Sequence, residues 1–307
     1  MPNDHYVPKF YLKKFEIPSK PGNIFVYDRK GRIFRRGIKS VACSEDYYSL
    51  KTKIPSAAPR MIDELYQSSE SNAGPLFKKL FIASEFNLLA EEQEELAIFI
   101  ALLACRNPFF KTLSINLHAA FNTHLFKALA ENENAWNSQF RDSDIPSEQI
   151  AKTREIVLSE DFDKKIEFVA KGDESHDFYN VSAIKQALLL SDVINQKYWV
   201  LLNVTSQREL ITSDNPVVLI KPDNPVRGMG FGNSDVYLPI SPYKALYLVN
   251  RQPHLKGIDI KCEGVAELNY HTIHGAHDHL YASGSFQDIS EDFAQTKPGQ
   301  NTKVKVS

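Results

Sequence analysis

Between residues 57 and 196 the apolar side chains recur at helical spacing, whereas the flanking segments carry short bursts rich in Val, Ile, Tyr and Phe. This switch of period, strand to helix and back to strand, constrains the fold more than any other feature of the chain. Two strand-forming ends around a helical middle have an economical solution, in which both ends build one sheet and the helices pack against it. The expected fold class is therefore α+β. It has a mixed, mainly antiparallel sheet built from an N-terminal hairpin and C-terminal strands, with a helical block between them. The expected single domain spans 1–284, its β part at 1–56 and 197–284 and its helical insertion at 57–196, followed by a polar, flexible tail at 285–307.

Local signals fill in this outline. In "HYVPKFYLKKF" (5–15), Pro8 suits a first helical turn, and Tyr11, Leu12 and Phe15 form an apolar stripe with Lys9 and Lys13 opposite. "NIFVYDRKGRIFRR" (23–36) reads as a β-hairpin around "DRKG". Helices are expected over "MIDELYQSSESNAGPLFKKLFIASEF", over "EEQEELAIFIALLACR", after the Asn107-Pro108 break, from Ser147 and over 176–196. Strands return in "KYWVLLNVT", "ELIT", "VVLI", "DVYLPIS" and "ALYLVN". One helix, "GVAELNYHTIHGA", then precedes a last strand, "HLYAS".

Composition is that of an ordinary globular protein, and the longest apolar run, 96–105, is about half of what a bilayer crossing needs. The N-terminus has no apolar h-region of a secretory signal. Cys43, Cys105 and Cys262 are far apart and match no zinc or disulfide spacing, so a reducing cytoplasm is the expected location. The net charge of −2 conceals an asymmetry. Residues 1–40 hold ten Lys/Arg against Asp4, Glu16 and Asp28, a surplus of +7, which leaves −9 for the remainder. A surplus of this kind draws polyanions, unless the acidic helices of the same chain balance it.

Several stretches are candidates for chemistry. His5 is the one side chain near the N-terminus able to take and give a proton near neutral pH, and it lies just ahead of a helical turn. Ser213-Asp214-Asn215-Pro216 follows a strand. It reads either as an Asx turn or as an aspartate that orients His5. Asp214 could also ligate a divalent metal, although one carboxylate is too few for a dedicated cage, and no cofactor is expected. Arg29, Arg32, Arg35 and Arg36, with Lys30 and Lys39, match the geometry of phosphate contacts, and Phe10 could stack on a base or join the core. The histidines of "NYHTIHGAHDHL" (His271, His274, His277, His279) lack metal-ligand spacing and read as surface groups on a short helix. "GMGFGN" (228–233) leads into a strand instead of a helix, so it is expected to be a mobile loop with no phosphate-binding role.

The opening "HYVPKFYLKKF", together with "ELITSDNPVVLI", "VYLPISPYKALYLV" and an asparagine-bearing helix before "LYAS", resembles the bacterial domain-of-unknown-function 4238 family from His5 to Ser283. The resemblance implies an α+β fold, and it directs attention to His5, Tyr6 and Asn269 as site residues. Two functions are consistent with these readings. The first is an intracellular phosphodiester hydrolase acting on RNA or a nucleotide. In it His5 carries the proton and Asp214 orients it, while Tyr6, Arg29, Arg32, Arg35, Asn215 and Asn269 bind substrate. The alternative is a non-catalytic nucleic-acid-binding or regulatory module of a bacterial genetic island. In either case RNA or another polyanion is expected at the basic hairpin, with no membrane association, and the identity of any protein partner is not readable from the sequence.

Overall fold

A computed structural model describes residues 3–51, 60–159, 162, 173–220 and 230–296. Strand β1 (Asn3–His5) leads into helix α1 (Lys9–Leu12), which tightens into a 3-10 turn at Lys13–Phe15. The hairpin β2 (Asn23–Asp28) and β3 (Ile33–Gly37) follows, then β4 (Cys43–Glu45). The helical block comprises α2 (Met61–Ile82), α3 (Ala90–Cys105), α4 (Pro108–Glu131), α5 (Glu133–Ser138), α6 (Ser147–Leu158) and α7 (Asp173–Asn195). Beyond it lie β5 (Tyr198–Val204), β6 (Thr212–Ser213), β7 (Val218–Ile220), β8 (Asp235–Ser241), β9 (Lys244–Val249) and β10 (Gly257–Ile260). Helix α8 (Cys262–Gly275), β11 (His279–Ala282) and α9 (Gln287–Gln295) complete the described chain.

The protein is α+β, and its two ends do share a sheet: β3-β2-β11-β6, antiparallel throughout, sets Val26 opposite Tyr281 and Leu280 opposite Ser213. The expectation of a single sheet needs correction. The remaining C-terminal strands form a second sheet, β10-β5-β9-β8-β7, in which only β10 and β5 run parallel, and β1 pairs with β4 in a small ribbon. Strand alternation explains how two sheets share one core. Ile24, Val26 and Tyr281 from the first sheet, and Trp199, Leu201, Val236, Leu238, Leu246 and Leu248 from the second, turn inward against the helical block. Their opposite faces are both covered by α8, through Val265 and Leu268 on the second sheet and Ile273 on the first.

The helical block differs from expectation in two elements: the short α5 is an additional helix, and α3 is enclosed in its second half. Helix α3 is acidic at its start, yet Leu96, Ala97 and every residue from Phe99 to Cys105 are buried. Its polarity changes along the axis instead of around it, because the second half is enclosed on all sides. Among the described residues no single helix is long and apolar enough to cross a membrane. The α3–α4 pair passes on composition only when joined across a 67° bend. The tail assignment was wrong for its first part. Helix α9 buries Ile289 and Phe293 against Tyr27 and Leu280, while 297–307 lie outside the described residues, as do 228 and 229 of the glycine loop.

The N-terminal motif holds the sheets together. Val7, Tyr11, Leu12 and Phe15 are buried, and Lys9 and Lys13 are exposed, as the stripe requires. The Tyr11 hydroxyl donates to the carbonyl of Pro239 (2.5 Å) in the second sheet and lies 2.7 Å from Thr212 Oγ1 in the first. From the other side Asn269 of α8 accepts from Ile211 N at 3.0 Å and donates to Glu209 O at 2.9 Å. Both links pin the segment that passes between the sheets. Tyr11→Phe leaves the ring in place and strands buried acceptors, so it is predicted to cost about 1–3 kcal/mol of stability. Urea unfolding with an unchanged slope checks this, and an unchanged midpoint would contradict the assignment.

Candidate active site

The turn after β6 buries a carboxylate. Asp214 is 2% exposed, and its Oδ1 accepts from the His277 main-chain N–H at 2.8 Å. Its Oδ2 accepts from the N–H groups of Asp278 (2.7 Å) and His279 (2.9 Å). Burial raises the carboxyl above its usual range, opposed by the Asp278 and His277 N–H groups and by His279 and His277. The next residue, Asn215, donates to Gly275 O (2.9 Å) and accepts from Asn107 Nδ2 (3.0 Å). Asn107 in turn caps α4 by accepting from Phe110 N at 2.9 Å. One turn therefore joins the end of α8, the start of β11 and the start of α4.

Of the residues singled out in sequence, several serve this framework. Asn215 and Asn269 are buried and spend their amides on the bonds above, so neither is free to position a substrate. Arg29 is likewise no phosphate clamp. It donates to Ala276 O (2.5 Å), His277 O (2.9 Å) and Thr296 (3.0 Å to O, 2.6 Å to Oγ1), with its guanidinium 4.2 Å from the Phe293 ring centroid. Arg32 is paired with Asp28 (2.5 Å) across the hairpin turn, where Gly31 supplies the left-handed φ of +72°. Arg35 and Arg36 remain exposed on the edge strand β3. Phe10 packs edge-on against Phe77, yet it also lines a groove of about 730 Å³ with Lys13, Lys14 and Lys78.

His5 and Asp214 make no hydrogen bond or ion pair with each other. His5 donates from Nδ1 to Asn3 O at 3.3 Å, its buried Nε2 makes no hydrogen bond of good geometry among the described residues, and burial and Lys9 lower its pKa against the pull of the Asn3, Ile38 and Lys39 main chain. Tyr6, its neighbour, does reach the node. Burial and the Asp214 charge raise the Tyr6 phenol, Tyr281 faces it, and its ring lies 5.7 Å from that of Tyr47.

Sequence reasoning missed the imidazoles that Asp214 actually gathers. His279 Nδ1 lies 3.9 Å from Asp214 Oδ2, with the ring stacked beside Tyr281 and 39% of the side chain exposed. His277, 22% exposed, places Nε2 3.6 Å from Asp278 Oδ2 and its ring 6.2 Å from that of Phe109 in the first turn of α4. Its Nδ1 has no hydrogen-bond partner among the described residues. The available signal was the short gap between the helix ending at Gly275 and the strand starting at His279, a turn that carries both histidines off the helical face. Among the described residues no three His, Cys, Asp or Glu side chains are grouped to hold a metal.

Fold and site together define an α+β protein whose distant termini enclose a buried carboxylate flanked by two solvent-reachable imidazoles. The chain belongs to the family described as "Protein of unknown function (DUF4238)", which matches residues 3–285. No curated protein and no solved structure matches the chain.

Replacing Asp214 by Asn turns one acceptor into a donor that faces N–H groups. It is predicted to cost about 3 kcal/mol, measurable by denaturant unfolding. A raised native pKa means that the folded state binds the proton more readily than the unfolded chain. Stability from this group therefore falls as pH rises from the ordinary carboxylate value through the raised one. Over that window the margin of wild type over Asp214→Asn should shrink, and a widening margin would contradict the raised pKa.

Proposed function

We propose that this protein is a phosphodiester hydrolase acting on RNA or a nucleotide, with His279 and His277 as its proton carriers. The observation that carries the reading is the placement of two partly exposed imidazoles around one buried carboxylate fixed by three main-chain N–H groups. Cleavage of a phosphodiester by side chains needs one group to take the proton of the attacking oxygen and another to supply a proton to the leaving oxygen. Two imidazoles meet that need, and the Asp214 charge attracts an imidazolium on His279. In this reading Asp214 keeps the orienting role, and His5 gives up the proton-carrying role to the C-terminal pair.

Polyanion recognition has support in the exposed cations of the N-terminal segment. The Lys9 ammonium acts on both His5 and Cys43, and Lys39 is exposed on the turn whose carbonyl faces the Cys43 thiol. Arg35 and Arg36 add charge at the sheet edge. Phe109 beside His277, and Tyr6 near Asp214, offer aromatic surfaces for stacking on a base. A second reading, a non-catalytic nucleic-acid-binding or regulatory module, is favoured by the use of Arg29, Asn215 and Asn269 for main-chain bonds.

The two readings separate in an RNA oligonucleotide cleavage assay. His279→Ala and His277→Ala, each confirmed folded, are expected to lower kcat/KM by about 10²–10⁴-fold, with His5→Ala close to wild type. Wild-type protein that binds the oligonucleotide with a steep salt dependence but leaves it intact would reject hydrolysis in favour of the binding module.

A further inference from the structure

Tyr47, the ring neighbour of Tyr6, also borders a second cluster, which the hydrolase reading does not use. Lys111, in the first turn of α4, places Nζ 3.0 Å from His176 Nδ1 and over the rings of Tyr47 (4.8 Å) and Tyr179 (5.1 Å). His176, near the start of α7, lies with Nε2 3.2 Å from Ser49 O. Nε2 also lies 3.0 Å from Asn180 Nδ2, so the tautomer follows from the lysine: an ammonium only donates, Nδ1 offers it the lone pair, and the ring proton sits on Nε2 toward Ser49 O. Lys51 approaches from the loop that follows β4 and repels both groups. The carboxylate acting on His176 is Asp177, whose Oδ1 accepts from the Lys51 main-chain N–H at 2.7 Å.

Lys111 makes no ion pair among the described residues; its contacts are an imidazole and two aromatic faces. Burial and Lys51 lower its pKa to about 8. The hydroxyl of Tyr47, a residue only 8% exposed, faces Tyr179 and makes no hydrogen bond of good geometry among the described residues. Among the described residues no anion faces this half-buried ammonium, its neighbouring cation and the unspent buried hydroxyl, and the positive end of α4 adds to the same field.

We propose that Lys111, His176 and Lys51 form a recognition site for a phosphate group. Donors reach it from three separate elements, which suits a tetrahedral oxyanion with several acceptor oxygens better than a flat carboxylate. His176 would donate from Nδ1 once protonated beside the bound anion, and Tyr47 could donate its hydroxyl. The site joins the imidazole pair through α4, since Phe109 touches His277 two residues before Lys111. Its assignment as the subsite for a neighbouring phosphate of the substrate rests on the hydrolase reading; the anion site itself does not.

The test follows acylation of Lys111 in the wild-type protein against pH, mapped by mass spectrometry, with inorganic phosphate or with chloride at matched ionic strength. Phosphate is expected to move the half-reaction point upward by about one unit, so that labelling near pH 8 slows several-fold. Lys51→Met, a change of an exposed side chain, should weaken that protection. Labelling of Lys111 that is indifferent to phosphate would overturn the proposal. Protection without RNA cleavage would keep the anion site and remove its link to hydrolysis, whereas cleavage without protection would remove the site and leave the hydrolase.

Discussion

A carboxylate taken out of water is tolerated only where the surrounding dipoles replace its hydration, and the position of Asp214 follows from that constraint. Three successive N–H groups, those of residues 277 to 279, converge on it. They can do so only if the chain leaves α8 at Gly275 and enters β11 at His279 as it does. Asn215 extends the same polar knot to Gly275 and, through Asn107, to the cap of α4. The apolar core beneath would tolerate several arrangements of similar volume, whereas these bonds specify one. The flanking imidazoles are a consequence, because the residues whose main-chain N–H groups hold Asp214 are His277, Asp278 and His279.

The N-terminal motif meets this knot from the opposite direction. Asp4 is buried, accepts from Tyr48 N (2.9 Å) and pairs with Arg60 (2.7 Å), so β1 is fastened to the start of α2. Tyr6 then lies between Tyr47 and the Asp214 region, and Tyr11 bridges the two sheets. One short segment thus touches the helical block, both sheets and the candidate active site. The apolar members of "HYVPKFYLKKF" build core, and Lys13 and Lys14 line the groove beside α2.

The arginines mark the boundary of what local reading can achieve. Arg29 and Arg35 look equivalent in a basic hairpin, yet Arg29 is absorbed by carbonyls near the other end of the chain, and Arg35 stays exposed. No nearby residue distinguishes them. Asn269 and Asn215 show the same limit, since amides that serve a fold and amides that serve a substrate are alike in sequence. His277 and His279 failed for a different reason. The sequence ends the helix at Ala276 and opens the last strand at His279, but no local pattern shows that the turn between them wraps its main-chain N–H groups around Asp214.

Sequence by itself determined the kind and order of most elements, the α+β class, the hairpin, the buried stripe of α1 and the meeting of the two chain ends. Apolar periodicity and turn chemistry act over a few residues, so they survive in any reading of the chain. Tertiary structure decided the division into two sheets, the capture of α9 and the choice of partner for every polar side chain at the site. Those partners lie tens to hundreds of residues apart. Whether a carboxylate meets a histidine ring or three N–H groups depends on distances that exist only after folding.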